Sequence, residues 1–297
     1  MIMEVCNKRG VSITEFRRRR VSRLMLHCVR WSVLGLAGFP LVSLPARAQQ
    51  NRAVVQMAAN EKAARGQEHH FSYLSEERSS RTGGHLWKEK VVETDDGVLR
   101  RLLTVDGRPL TPAQTQAEEQ RIEEIVAHPE AFRKLNAGHY DDEVKATQLL
   151  EILPRAFLIS PAGEENGCTR FSYRPNPAFQ PSTYEERIIH VLEGTVSIKE
   201  PEERLCKLEA RITQPVEFGF GLLGKVNSGG HFELERAQVD PNNWKSVHIS
   251  VHVDGRILLL KSITRDQETT RTDIHIVPQH LSLAEAAKLS LPTPGGR

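Results

Sequence analysis

The apolar positions of this chain change their spacing more than once. Between residues 49 and 65 they fall at helical spacing, with Val54, Val55, Met57 and Ala58 gathered on one side and Gly66 behind them, which predicts a modest amphipathic helix. Residues 69–75, 86–92 and 98–105 then read as strands. Asp95-Asp96-Gly97 joins the last two as a hairpin, with glycine where a positive φ is wanted, and Asp106-Gly107-Arg108-Pro109 turns the chain again. Thr111 is placed to cap a helix whose first residue, Pro112, has no N–H to lose. Helices are expected near 112–135 and 141–153, the first restarting at Pro129. The second carries Val144, Leu149, Ile152 and Leu153 and stops at Pro154.

From there the pattern is almost entirely strand: residues 156–160, 168–174, 188–198, 204–212, 246–254, 256–264 and 269–277. The alternation is clearest in 246–254. Val247, Ile249, Val251 and Val253 point one way, and His248, Ser250, His252 and Asp254 the other. A period of two means that one face packs while the other meets water. Helices interrupt a run of antiparallel strands instead of alternating with each one, so the fold class is α+β and not a doubly wound parallel sheet. The expected organisation is a single domain over 49–281, then a short helix from Ser282 to Leu291 and a frayed Pro-Gly tail.

The first 48 residues follow different rules. A basic stretch over 17–30 precedes an apolar run over 31–44, interrupted by Pro40, and Ala46-Arg47-Ala48 places small residues where a signal peptidase reads them. This is the pattern of a signal peptide, and it predicts export to the periplasm with cleavage after Ala48. The run falls short of the roughly 20 residues a spanning helix needs, although an uncleaved anchor is the competing reading. Met25 is an alternative start to Met1 and would give a leader of more ordinary length. The leader also accounts for the basic balance. It holds nine basic side chains against Glu4 and Glu15, and removing that +7 from the whole chain's +2 leaves −5 for residues 49–297. A nucleic-acid partner needs a clustered positive face to displace phosphate counterions, so nucleic acid is set aside.

With Cys6 and Cys28 in the leader, Cys168 and Cys206 remain, and in an oxidising compartment they either pair or stay as two buried thiols. Cys206 shares the inward parity of Leu208, Ala210 and Ile212, which suits both readings. Zinc ligation is a poor fit, since no C-x-x-C pair is present. The histidines suggest no metal site. His248 and His252 share a strand face but stand about 13 Å apart, and the adjacent His69 and His70 point to opposite faces. His275 is unplaced. No G-x-S-x-G, S-x-x-K or H-E-x-x-H motif is present. The paired carboxylates, such as Glu118-Glu119 and Glu202-Glu203, have the composition of solvated surface runs. No catalytic residue, metal or cofactor is expected.

Residues 218–226, FGFGLLGKV, stand apart. Phe218, Phe220, Leu222 and Leu223 form a dense apolar group on a glycine-loosened backbone, which reads either as a lip over an apolar cavity or as a bent strand plugging the core. Gly219, Gly221 and Gly224 lack the Lys-Ser/Thr ending and the following helix of a phosphate loop.

Four segments carry a resemblance: LRRLLTVDGRPLTPAQ from Leu99, GTVSIKEPEERLCKLEARI from Gly194, QPVEFGFGLLGKV from Gln214 and FELERAQVDPNNW from Phe232. In that order, across most of residues 68–276, the chain resembles an uncharacterised family of exported bacterial proteins that is itself similar to the outer-membrane lipoprotein-sorting proteins. It departs from that family at Ser197, where a large aromatic is usual, and at Cys206, where a small aliphatic is usual. The resemblance implies a strongly curved antiparallel sheet, an incomplete β-barrel, with helices on its concave side, as in the lipoprotein carriers. In the carriers that hollow holds acyl chains, and relatives of the same fold bind partner proteins, so fold alone does not settle function. No functional residue of the carriers maps onto a position here. The expected function is a non-enzymatic exported protein binding a lipid or other apolar small molecule. Phe218, Phe220, Leu222 and Leu223 would line or gate the cavity, and the 141–153 helix would be a movable cover. The alternative is a protein-interaction or sensor module of the cell envelope whose cavity is filled.

Overall fold

In the computed structural model, which describes residues 46–65, 69–218, 224–257, 261–262 and 265–292, the chain opens with helix α1 (Ala46–Arg65). Strands β1 (Phe71–Ser79), β2 (Trp87–Thr94), β3 (Gly97–Val105) and β4 (Arg108–Pro109) lead to helices α2 (Pro112–Ala127) and α3 (Pro129–Ala156). Then come β5 (Phe157–Glu165), β6 (Cys168–Pro175), the short α4 (Tyr184–Ile189), β7 (Leu192–Lys199), β8 (Arg204–Ile212), β9 (Val216–Phe218) and β10 (Gly224–Val226). The last elements are β11 (His231–Asp240), β12 (Asn243–Val253), β13 (Gly255–Ile257), β14 (Lys261–Ser262), β15 (Arg265–Ile276) and α5 (Leu283–Leu289).

Eleven strands form one sheet in the order β4-β3-β2-β1-β15-β12-β11-β8-β7-β6-β5, every neighbouring pair antiparallel. The sheet is open, with β4 and β5 as its edges, and the fold is α+β. A smaller sheet of order β14-β13-β10-β9 branches from it and is seated on Val191, Ile212, Val216 and Val226. No helix among the described residues is long and apolar enough to cross a membrane.

Residues directly opposite one another in a ladder share a face, so register traces each face across the sheet. Val91 lies opposite Tyr73. Two and four positions along β1, Ser75 and Glu77 continue that face, and from Glu77 it passes through Thr269, Ile249, Leu234, Leu208 and Val196 to Phe171. On this face α1 and the last turns of α3 pack a core of Val54, Met57, Ala58, Leu150, Leu153 and Ala156 against Phe171, Tyr173, Val196 and Ile198. The opposite face starts at Val92 and Leu99, and there Ile122, Phe132, Leu283 and Ala286 bring α2, the start of α3 and α5. Val91 and Val92 are consecutive and both fully buried, which a pleat of period two permits only if both faces are covered. The helices are therefore divided between the faces and not gathered on one side.

Local chemistry explains most boundaries. Thr111 accepts from the Gln114 N–H while Gln114 reaches back to the Thr111 N–H, a reciprocal cap around Pro112. Gly97 takes a φ of 134° in the predicted hairpin, and Asp106 and Gly107 both adopt positive φ at the next turn. Two expectations are corrected along α3. The gap foreseen at 136–140 is helical, and the helix runs past Pro154 to Ala156. A proline in the last turn removes a single backbone hydrogen bond, and the Phe157 N–H still bonds Leu153 O, so the helix survives it. The strand foreseen from Ile188 starts only at Leu192, because Thr183 caps α4 there. Val55, assigned to the apolar side of α1, is 49% exposed: it stands outside the stripe of positions 54, 57, 58 and 61.

One end of the β1–β3 region is filled by charge. Arg81 binds both oxygens of Glu77 at 3.1 and 2.9 Å and both oxygens of Glu89 at 3.0 and 2.7 Å, and Arg100 adds a contact to Glu89 at 3.3 Å. Burial pushes the Glu77 carboxyl up, but hydrogen bonds from Arg81 and Ser79 and the two guanidinium charges outweigh it and hold it below the ordinary 4.5. A depressed folded-state value stabilises the protein above 4.5 and loses that contribution as pH falls through it. The urea midpoint should therefore drop between about pH 5 and pH 3, and Glu77→Gln should flatten that slope. An identical slope in the variant would exclude Glu77 as its source.

Candidate functional site

The middle strands of the sheet carry an apolar strip on the Val91 face. Leu208 lies opposite Leu234, Leu234 opposite Ile249, Ala210 opposite Phe232, and Phe232 opposite Val251. Leu208, Phe232, Leu234, Ile249 and Val251 remain only partly buried, although Val196 and Ile198 to one side and Tyr73 and Val91 to the other are at most 2% exposed. β-branched and leucine side chains facing inward at the centre of a wide sheet normally complete a core. Here Leu208, Phe232 and Leu234 pack against the margin of the core, and all five side chains keep part of their surface exposed.

Two residues further along β11 the same face becomes polar. Arg236 follows Leu234 and, with Arg204, Trp244, Lys245, His69 and Asn60, lines a cleft of about 450 Å3 between the end of α1 and strands β1, β8, β11 and β12. The cleft is organised by Glu61, which continues the α1 stripe at 3% exposure. Glu61 accepts from Arg204 Nε at 2.8 Å, from the Leu205 backbone N–H at 3.0 Å and from Arg236 Nη1. Asn60 beside it donates to the carbonyls of Glu202 and Glu203, so the same turn of α1 is also pinned to the β7–β8 turn. Burial pushes the Arg236 guanidinium down to about 10, which leaves it charged at neutral pH. Lys245 binds Glu93 at 2.9 Å and lies 4.6 Å over the Phe71 ring, and Arg204 stands 5.9 Å from the Trp244 ring.

No protein-family model, curated protein or solved structure matches the chain. Its candidate site rests on its own geometry.

The residues singled out from sequence have mixed fates. Phe218 ends β9, paired with Gly224 in the β9–β10 hairpin, while Phe220, Leu222 and Leu223 lie outside the described residues, as does the Phe218 side chain. Cys168 and Cys206 are bonded at 2.08 Å. The parity assigned to Cys206 is corrected: a bulge sets Ser197 opposite Lys207 and Ile198 opposite Leu205, so Leu205 turns inward at 1% exposure and Cys206 is the extra residue between them. The end of the 141–153 helix is core, with Leu150, Ile152 and Leu153 buried against α1. His248 and His252 face the wet side, against Glu268 and Asp266. His70 and His280 bind the two oxygens of Asp95, and no group of three metal-binding side chains occurs among the described residues. Sequence reasoning missed Glu61, Arg204 and Arg236. One signal was present: a glutamate in the fourth place of the stripe Val54, Met57, Ala58, Glu61, where a buried charge requires a partner.

Proposed function

We propose that the chain is an exported, non-enzymatic protein that holds a lipid or acyl chain in the hollow of a curved, carrier-like sheet. The partly open strip of Leu208, Phe232, Leu234, Ile249 and Val251 is the observation that carries this reading, because apolar burial is the only chemistry such a surface offers. Curvature is supported by a length argument. Near its start α3 reaches β3, where the Val98 N–H donates to Asn136 at 3.4 Å, and its last residue, Ala156, adjoins β5. In a flat sheet the nine strand steps from β3 to β5 span about 43 Å, whereas the 20 residues from Asn136 to Ala156 cover about 30 Å of helix. A connection shorter than the flat width of the sheet favours a bent sheet. Export follows from the leader pattern.

Native mass spectrometry of protein purified without detergent should show an added mass of lipid size, and the delipidated protein should take up a fluorescent fatty acid. Leu234→Asp, which sets a charge on the strip, should lower that uptake at least tenfold while leaving the circular dichroism unchanged. A clean apo mass with no uptake removes the lipid reading and favours a filled sheet that contacts a partner protein.

A further inference from the structure

The cleft beyond the strip has a charge that an apolar ligand alone would not need. Arg204, Arg236 and Lys245 face it with Glu61 and Glu93 as carboxylate partners, and Asp240 stands at the rim, bound to the lining residues Asn242 and Asn243. Arg236 is the residue through which strip and cleft meet. Its Nη1 serves Glu61 and its Nη2 serves the Trp244 carbonyl at 2.8 Å, while its Nε is buried with no hydrogen-bond partner among the described residues. Leu234, two residues back on the same face, lies about 7 Å away along the strand. A ligand that reaches both must be apolar along its length and anionic at one end.

We propose that this cleft is the head-group site for an anionic amphiphile, a carboxylate or phosphate whose chain lies along the strip. This rests on the apolar-ligand reading above and adds to it the sign of the head group and the residues that receive it. The anion accepts from Arg236 and Lys245, and Asn60 and His69 supply further polar groups at the rim. Charge-assisted hydrogen bonds of this kind are the stronger ones, and an acceptor at Arg236 Nε satisfies a donor the fold leaves unpaired.

The test is a titration of the purified, delipidated protein with dodecanoate, dodecyl phosphate, dodecanol and inorganic phosphate, read by fluorescence of Trp244, which lines the cleft. Both charged amphiphiles should bind at least about ten times more tightly than dodecanol, the ratio one charge-assisted hydrogen bond provides. Inorganic phosphate should bind far more weakly than dodecyl phosphate. The double variant Glu61→Gln/Arg236→Gln, which removes one charge of each sign and leaves an amide oxygen at position 61 to accept from Arg204 and the Leu205 N–H, should bring the ratio near one while dodecanol binding persists, and Lys245→Gln should reduce it in part. Equal binding of dodecanol and dodecanoate, or a ratio unchanged in both variants, overturns the head-group site and leaves the apolar strip standing. Inorganic phosphate binding as tightly as dodecyl phosphate makes the cleft a site for a free anion and overturns the amphiphile. Failure of every ligand overturns both readings.

Discussion

Glu61→Ala is expected to destabilise the protein by about 3–5 kcal/mol, the cost of removing one partner from a buried charge cluster. The side chain is 4% exposed and its partners Arg204 and Arg236 are 12% and 13% exposed, so water cannot replace it cheaply. The substitution also strands the Leu205 N–H in the core and cuts the charged tie between α1 and strands β8 and β11. Glu61→Gln should cost less, because its amide oxygen still serves Leu205. Urea unfolding of the three proteins at neutral pH measures this. A Glu61→Ala midpoint within error of the parent would mean that α1 is not held by this cluster.

Loss of the Cys168–Cys206 bond should be nearly as large. The bridge closes a loop with a sequence separation of 38, for which loop-closure entropy gives about 4 kcal/mol. It ties β6 to β8 around β7, the strands that α1 and the end of α3 pack against. A Cys168→Ser/Cys206→Ser variant should therefore unfold at markedly lower guanidinium concentration than the oxidised parent, and the parent with reductant should follow the variant. Coincident curves, with two free thiols titrating in the denatured but unreduced parent, would exclude the bond.

How far each feature could be read in advance depended on its range. The Asp95–Gly97 hairpin, the Thr111 cap with Pro112 and the period-two run from His248 to Val253 depend on neighbours within a few residues, and they appear where the sequence places them, while Val247 is the extra residue of a bulge against β11. The α2–α3 boundary at Pro129 also lies where the sequence places it, whereas α3 is longer than expected, because no break falls at 136–140 and Pro154 sits in a last turn that tolerates it. Cys206 was given the wrong parity because a bulge is invisible to an alternation pattern. The carboxylates that came as conspicuous pairs were read as surface. Of the buried ones, Glu61 and Glu89 stand singly and Glu77 follows the exposed Glu76 in a strand, and no sequence pattern distinguishes them from surface carboxylates before their arginine partners are in place.

By itself the sequence determined the class of elements, the division of strands into a packed and a wet face and two cysteines able to pair. Those are consequences of local sterics, side-chain period and composition. The tertiary structure alone decided that β1 pairs with β15, so that the two ends of the domain meet mid-sheet, that helices cover both faces, and that Glu61 of α1 gathers arginines from two separate strands. The physical reason is that pairing at such separations is chosen by the burial of the whole assembled surface, a quantity no short stretch of chain contains.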